Sequence, residues 1–581
     1  MKFFMSFKNY IKHFLFCLIV SFILCLIGFI LFKPIYASNS IIIPYSLHPY
    51  DICISNPNLW KGLKFYFIIF YIASSFIFSN SLYSFIFCKK QDSKLKNNVI
   101  HKNVNSNIKQ FTNSKDLLLF VGKNESDNLV FIPEKSLYQN ILITGTIGSG
   151  KTSSCMYPFT RQLMSCNKNN PNTKLGMLIL DVKGNYYREV VNFARATDRL
   201  EDLYVIELGK SVKYNPLDKP SLKPAILANR LKTILMLFSP NNSDSYWLDK
   251  VEQVLTEAIK FCRLYNDGYV TFLELHKLIT LPNYFMDKFD IIKELFVSGK
   301  LSKENCYDAL SSINFFEQEF NSLDDRTSSI IKSEITRITN CFISDYDVMN
   351  TFCPKQKDIT FHGFRDLVDN GKIVVLNMNI AEYRNLSKII ATYLKLDFQT
   401  EVMSRLNRYS SNSFRSVAFI CDEFHEYCST SDADFFAQSR EAKCINIVAT
   451  QSYSSLLNSI NNQYAVKVII QNLINKFWFR TDDIGTIDDI QKQIGKEDKV
   501  KVSKSISENA KETHFSYFTN SLNSRNSNLS ESISKCVQSD FIYDTNFFTQ
   551  DLETFSCLSF LSDGYKILKP MKLHLKPYFV K

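Results

Sequence analysis

The chain opens with two long apolar stretches and then changes character. Phe14 to Phe32 runs nineteen residues without a charge, and Phe65 to Cys88 is a second uncharged stretch interrupted only by Ser, Asn and Tyr. Each is long enough to cross a bilayer as a helix. The first is too long for the apolar segment of a cleaved signal peptide. Lys2, Lys8 and Lys12 flank the first stretch, and Lys89, Lys90, Lys94 and Lys96 follow the second. The positive-inside rule then places both termini in the cytoplasm and residues 33–64 outside. Residues 1–90 read as a membrane anchor of two transmembrane helices, and the polar, Asn- and Lys-rich residues 91–115 as a basic linker.

Beyond the linker, short apolar runs alternate with helical periodicity. Asn140–Thr144, Leu175–Asp181, Leu203–Glu207, Lys372–Asn377, Val417–Cys421, Ile445–Thr450, Lys476–Arg480 and Cys557–Phe560 read as strands. Strands alternating with helices predict an α/β fold, a parallel sheet covered on both faces. Between about 222 and 352 the period changes. Trp247, Leu248, Val251, Val254, Leu255, Ala258 and Ile259 recur at helical spacing, as do Ile330, Ile331, Ile335 and Ile338. The pattern therefore predicts an all-α domain over 222–352, inserted between two parts of a sheet domain at 116–221 and 353–581. Long helices are expected near Leu386–Leu406 and over Asp432–Lys443, the latter capped by Ser431 or Asp432. Val502–Gln538 is rich in Ser, Asn and Lys. It reads as a solvated hairpin or mobile loop, or as a pore loop touching nucleic acid.

Composition changes this picture little. With 581 residues, 45% of them hydrophobic, the chain has room for more than one domain. A net charge of +11, from 68 basic and 57 acidic side chains, leans toward nucleic acid or an anionic membrane surface. Fifteen cysteines lack C-x-x-C pairs and zinc spacing, which predicts neither a metal cluster nor a disulfide framework, and a reducing compartment for most of the chain.

The candidate chemistry starts at Gly145-Thr146-Ile147-Gly148-Ser149-Gly150-Lys151-Thr152, which reads G-x-x-x-x-G-K-T. Its glycines let successive N–H groups turn toward phosphate oxygens, Lys151 can reach the terminal phosphates, and the Thr152 hydroxyl can ligate Mg²⁺. An apolar strand precedes it and a helix can open after it, the setting this loop requires. Downstream, Val417-Ala-Phe-Ile-Cys-Asp422-Glu423 is a buried strand ending in two acids. Asp422 can hold the Mg²⁺ shell, and Glu423 can orient and deprotonate an attacking water. Gln451 follows the next strand, where it can contact a γ-phosphate and report its loss.

Together these residues resemble the type IV coupling proteins of conjugation, the TraG/TraD-type ATPases. The resemblance runs from the two N-terminal apolar stretches through Gly145–Thr152, Asp181-Val-Lys-Gly184, Tyr214-Asn-Pro-Leu-Asp218 and Trp247-Leu-Asp249. It continues through Asp422-Glu423, Arg440-Glu441, Ala449-Thr-Gln451 and the Asp563-Gly564 turn. It implies a RecA-like P-loop NTPase domain, an all-α domain, ATP and Mg²⁺ as ligands, and assembly into a membrane-bound homo-hexamer. Its implied partners are DNA carried by a relaxase or relaxosome, and the components of a type IV secretion channel. Arg440 falls where the family places an arginine finger for a neighbouring subunit's ATP; a surface salt bridge is the alternative.

Two departures accompany the resemblance. Asn185 stands where the family carries an acid, and the chain has no long acidic tail, so docking through such a tail is not expected. A coupling ATPase for protein effectors, an FtsK-like double-stranded DNA translocase and a non-hydrolysing membrane scaffold remain the competing readings. The translocase predicts further membrane helices and a winged-helix module, neither of which the pattern contains.

Overall fold

The computed structural model describes residues 19–24, 65–66, 68–75, 77–78, 117–181, 183–237, 245–378, 380–408, 414–460, 462–509, 515–516, 521–522 and 528–580. The chain divides into two compact units, Met1–Ser114 and Lys115–Lys581. In the first, the described residues are helical, and the Tyr71 hydroxyl donates to the Leu24 carbonyl at 3.1 Å. Phe22, Ile23, Phe65, Tyr66, Ile69 and Phe70 are exposed. Among the described residues no helix is long and apolar enough to cross a membrane. Most of Phe14–Phe32, and half of Phe65–Cys88, lie outside the described residues.

The second unit is built on an eleven-stranded sheet. In chain order its strands are β1 (Leu118–Asn124), β2 (Leu129–Pro133), β3 (Ile141–Thr144), β4 (Gly176–Leu180), β5 (Leu203–Ile206), β6 (Ile373–Leu376), β7 (Val417–Cys421), β8 (Cys444–Thr450) and β9 (Asn475–Trp478). After a separate ribbon of β10 (Lys496–Asn509) and β13 (Asn528–Phe541), with the short pair β11 (Phe515–Ser516) and β12 (Ser521–Leu522) between them, come β14 (Ser556–Phe560) and β15 (Met571–His574). The order across the sheet is β2-β1-β15-β14-β9-β3-β8-β7-β4-β6-β5.

From β9 to β5 every neighbour pair is parallel, as the near-continuous apolar runs predict. The wing β14-β15-β1-β2 is antiparallel, an extension that periodicity did not foretell. Residue alternation gives the sheet two buried faces. Leu178 and Leu180 of β4 join Phe419 and Val448 in a core shared with Leu255, Phe272 and Phe342. Met177 and Ile179 point the other way, among Phe159, Leu163, Tyr186, Val190 and Phe193.

Between β5 and β6 the described residues form helices and no strand, from Pro224–Leu237 through Ser245–Tyr265 and Asp325–Ile343 to Phe364–Asn370. Several start as local chemistry requires: the side chains of Thr271, Ser302, Asp324 and Asp345 each accept a backbone N–H of the first turn. The Tyr214–Asp218 segment joins this block to the sheet. Asn215 Nδ2 donates to the Val270 carbonyl at 2.7 Å, and the Tyr214 hydroxyl bonds to the buried carboxylate of Asp397 on helix Asn385–Ser404. Burial alone would raise the Asp397 pKa; Lys219 at 3.1 Å and Arg230 at 2.7 Å outweigh it and hold the carboxyl below its ordinary value.

The expected helix over Asp432–Lys443 is shorter and differently capped. It spans Ser431–Gln438 with Thr430 as its N-cap residue. Asp432 is no cap: its side chain is fully buried, 2.5 Å from Lys395 Nζ, and also takes bonds from the Ser429 N–H and Gln399. The Lys476–Arg480 strand also ends early, at Trp478. The described parts of Val502–Gln538 lie in the β10/β13 ribbon and the β11/β12 pair, and the ribbon residues Val500, Val502, Ile533 and Val537 are exposed; the rest of the segment lies outside the described residues.

Candidate active site

Parallel pairing brings the exit ends of four strands to one edge. Thr144 pairs with Thr450, and Leu180 with Cys421, so the turns after β3, β8, β7 and β4 emerge side by side. The first of these turns is Gly145–Thr152. Gly145, Gly148 and Gly150 all have positive φ, at 153°, 78° and 100°. The loop is anchored to its neighbours: Gly145 N–H donates to the Gln451 carbonyl at 3.1 Å and Thr146 N–H to the Arg480 carbonyl at 2.9 Å. Lys151 is buried and its ammonium bonds to the carbonyls of Gly145 and Thr146. Burial lowers its pKa, against the pull of Glu423 and Asp422. Thr152 opens the helical run that continues to Ser165.

The acid pair arrives from β7. Asp422 is 1% exposed and accepts the Thr152 hydroxyl at 2.8 Å, so the loop and the acidic strand are joined. Burial, then repulsion from Asp181 and Glu423, pushes Asp422 up to about 6. Such a carboxylate gains from a nearby cation, and the hydroxyl and carboxylate oxygens are donors of the kind Mg²⁺ takes. Glu423 sits in the left-handed region (φ 48°, ψ 50°), where a non-glycine residue is strained. Its Oε1 lies 3.4 Å from Lys183 Nζ; its Oε2 is buried with no hydrogen-bond partner among the described residues. A strained acid holding a free buried oxygen at this edge is poised to accept a proton.

Two more residues join the acids. His425 Nδ1 lies 3.2 Å from the Thr450 hydroxyl and 3.8 Å from Glu423 Oε2, linking the end of β8 to the acid pair. Burial lowers the pKa of His425. Lys183 faces both acids; burial lowers its pKa, but Asp422 and Glu423 overcome that and raise it. Lys183 lies in the Asp181-Val-Lys-Gly184 segment, which gives it no site role by itself, and His425 stands in no motif. Lys183 lies in a turn beyond β4, and His425 gains meaning only from a strand 25 residues downstream. Asp181 turns inward differently: its carboxylate accepts the N–H groups of Lys183, Asn185 and Tyr186, which fixes the start of helix Tyr186–Ala196.

Lys151, Thr152, Asp422, Glu423 and Gln451 therefore share one edge, with Gln451 half-buried beside Gly145. Arg440 does not join them. It is exposed in the turn before β8, while the phosphate loop follows β3 at the opposite end of the parallel pair. The length of β8 separates the two by roughly 20 Å at about 3.3 Å per residue.

Residues 416–534, which hold β7 to β9 and most of the ribbon, match the family model described as the TraM recognition site of TraD and TraG. Among solved structures, the unbound monoclinic form of the bacterial conjugative coupling protein TrwBdeltaN70 is 12% identical, with 81% of this chain and 91% of that chain covered, at a TM-score of 0.50. The chain shares the fold of this coupling protein, and residues 416–534 match the TraD and TraG segment. The coupling protein TrwB with ADP and Mg²⁺ is 11% identical over 81% of this chain and 91% of that one, at a TM-score of 0.49. VirB4 of Thermoanaerobacter pseudethanolicus is 12% identical over 79% and 96%, at 0.44. At such identities the likeness is one of fold. No curated protein matches the chain.

Proposed function

We propose that this chain is an inner-membrane ATPase that couples a relaxase-bound single-stranded DNA to a type IV secretion channel and powers its transfer by ATP hydrolysis. One observation carries the ATPase reading: the 2.8 Å bond from Thr152 to Asp422, which closes the phosphate loop on an acidic strand end with Glu423 beside it. In this reading the loop N–H groups and Lys151 hold the β- and γ-phosphates. Thr152 and Asp422 hold Mg²⁺, which neutralises phosphate charge when bound. Water attacks the γ-phosphorus, the bond to the β-phosphate oxygen breaks, and Glu423 Oε2 takes the water proton. Gln451 senses the γ-phosphate. Arg440, at the far edge of its own sheet, serves the ATP of a neighbouring subunit, which calls for a ring such as a homo-hexamer.

The match to a TraM recognition segment supports a relaxosome partner contacting 416–534. The uncharged stretches Phe14–Phe32 and Phe65–Cys88, whose described residues include exposed apolar side chains, support a two-helix anchor and a cytoplasmic motor. The test is ATP hydrolysis by the full-length chain with and without single- and double-stranded DNA, at low and high salt, with Lys151→Ala as control. Stimulation by single strands that falls with salt supports the proposal. Stimulation by duplex alone favours a double-stranded translocase, and indifference to DNA favours protein cargo. Nucleotide binding without hydrolysis would sink the motor altogether.

A further inference from the structure

The phosphate loop is backed by aromatic side chains from the far end of the chain. Phe555, just before β14, donates its N–H to the Ser149 carbonyl at 3.1 Å. Its ring is so close to Gly150 that a Cβ there would lie 2.5 Å from Phe555 Cδ1. Phe555 itself has a φ of 66°, a strained conformation for a non-glycine residue. The following tail is tied to the same place. Leu575 N–H donates to the Phe555 carbonyl at 2.9 Å, and Tyr578 N–H donates to the Ser153 carbonyl at 2.9 Å. Ser153 is the second residue after Lys151, in the first turn of the helix whose N-terminus faces the phosphate site.

These bonds place one more ring. Phe579 packs edge-on against Phe555, centroids 6.1 Å apart, and against Tyr578 at 5.6 Å. Tyr578 in turn packs edge-on against Tyr157, at 4.8 Å. Phe579 nevertheless remains 60% exposed. A large ring held by two neighbours and a backbone anchor, yet left open to solvent beside the loop, has apolar area to offer a ligand.

A loop of N–H groups and one lysine grips phosphates and does nothing for the base of a nucleotide. We propose that Phe579, supported by Phe555 and Tyr578, is the platform on which the base of the bound nucleoside triphosphate stacks. This rests on the nucleotide-binding reading of Gly145–Thr152. Stacking uses the face of the base and not its edge, so the platform takes adenine and guanine alike.

The test measures equilibrium binding of ATP, GTP and inorganic tripolyphosphate to the full-length chain, as wild type, Phe579→Ala and Phe579→Tyr. The alanine variant should lose ATP and GTP affinity by about 5- to 150-fold, the range that stacking of one base spans. Tripolyphosphate affinity should not change, and the tyrosine variant should bind like wild type. Unchanged ATP affinity in Phe579→Ala overturns the proposal. So does equal loss for ATP and tripolyphosphate, which would make Phe579 a prop for the loop. A wild-type chain that binds neither ligand defeats the phosphate-loop reading itself, and the platform with it.

Discussion

Asp422→Asn should stabilise the metal-free protein above neutral pH. Asp422 is buried beside Asp181 and Glu423, and its pKa rises from 3.8 to about 6. About two pH units correspond to about 3 kcal/mol. A raised carboxyl pKa means that folding favours the protonated form. That contribution is fully present below about 4, and it is lost as pH rises through about 6. At pH 8 the folded chain therefore carries the whole cost of a charged, crowded Asp422. Asparagine removes the charge, keeps an oxygen to accept the Glu423 N–H, and can offer its amide N–H to the Thr152 hydroxyl oxygen in place of the second carboxylate oxygen. A unit of this size has an unfolding entropy of about 1 kcal/mol per kelvin, so the expected gain is roughly 3 °C. The assay is thermal unfolding in EDTA at pH 8 and at pH 4. The variant should unfold later at pH 8, and the gap should close at pH 4. With Mg²⁺ and nucleotide the order should reverse, because only the wild type gains the cation. A variant that is no more stable at pH 8, or a gap that persists at pH 4, refutes the argument.

Lys395→Met leaves Asp432 charged and fully buried, so it should cost about 3–5 kcal/mol in unfolding experiments. The double variant with Asp432→Leu should recover part of that loss; additive losses would show that the pair is not coupled. Gly150→Ala should damage nucleotide binding more than Gly148→Ala, since both have positive φ but only Gly150 would press a Cβ into Phe555. Equal effects in a binding titration would mean that strain alone decides. Arg440→Ala and Glu423→Gln should each abolish hydrolysis alone, yet regain some when mixed, because each supplies what its neighbour lacks. Absence of recovery in mixed assemblies would argue against an arginine reaching across subunits.

Gly145–Thr152, the acid pair and Gln451 could be singled out as candidates because each lies in a contiguous pattern, an apolar strand followed at once by polar or glycine-rich residues. The alternation of strands and helices foretold the parallel sheet for the same reason, since side-chain periodicity is a local property of backbone geometry. The sheet order β3-β8-β7-β4 was not legible, and it alone decides that Gln451 lies beside Gly145, that Lys183 and His425 face the acids, and that Arg440 stands at the opposite edge. Asp432 looked like a helix cap by position in the sequence; its bond to Lys395, 37 residues away, became visible only in three dimensions. The antiparallel wing and the aromatic backing of Gly150 likewise depend on β1 and the loop meeting the last residues of the chain. Local propensity determined which elements form and which carry reactive groups. Only tertiary packing, through burial and contacts distant in sequence, decided which of those groups share a site.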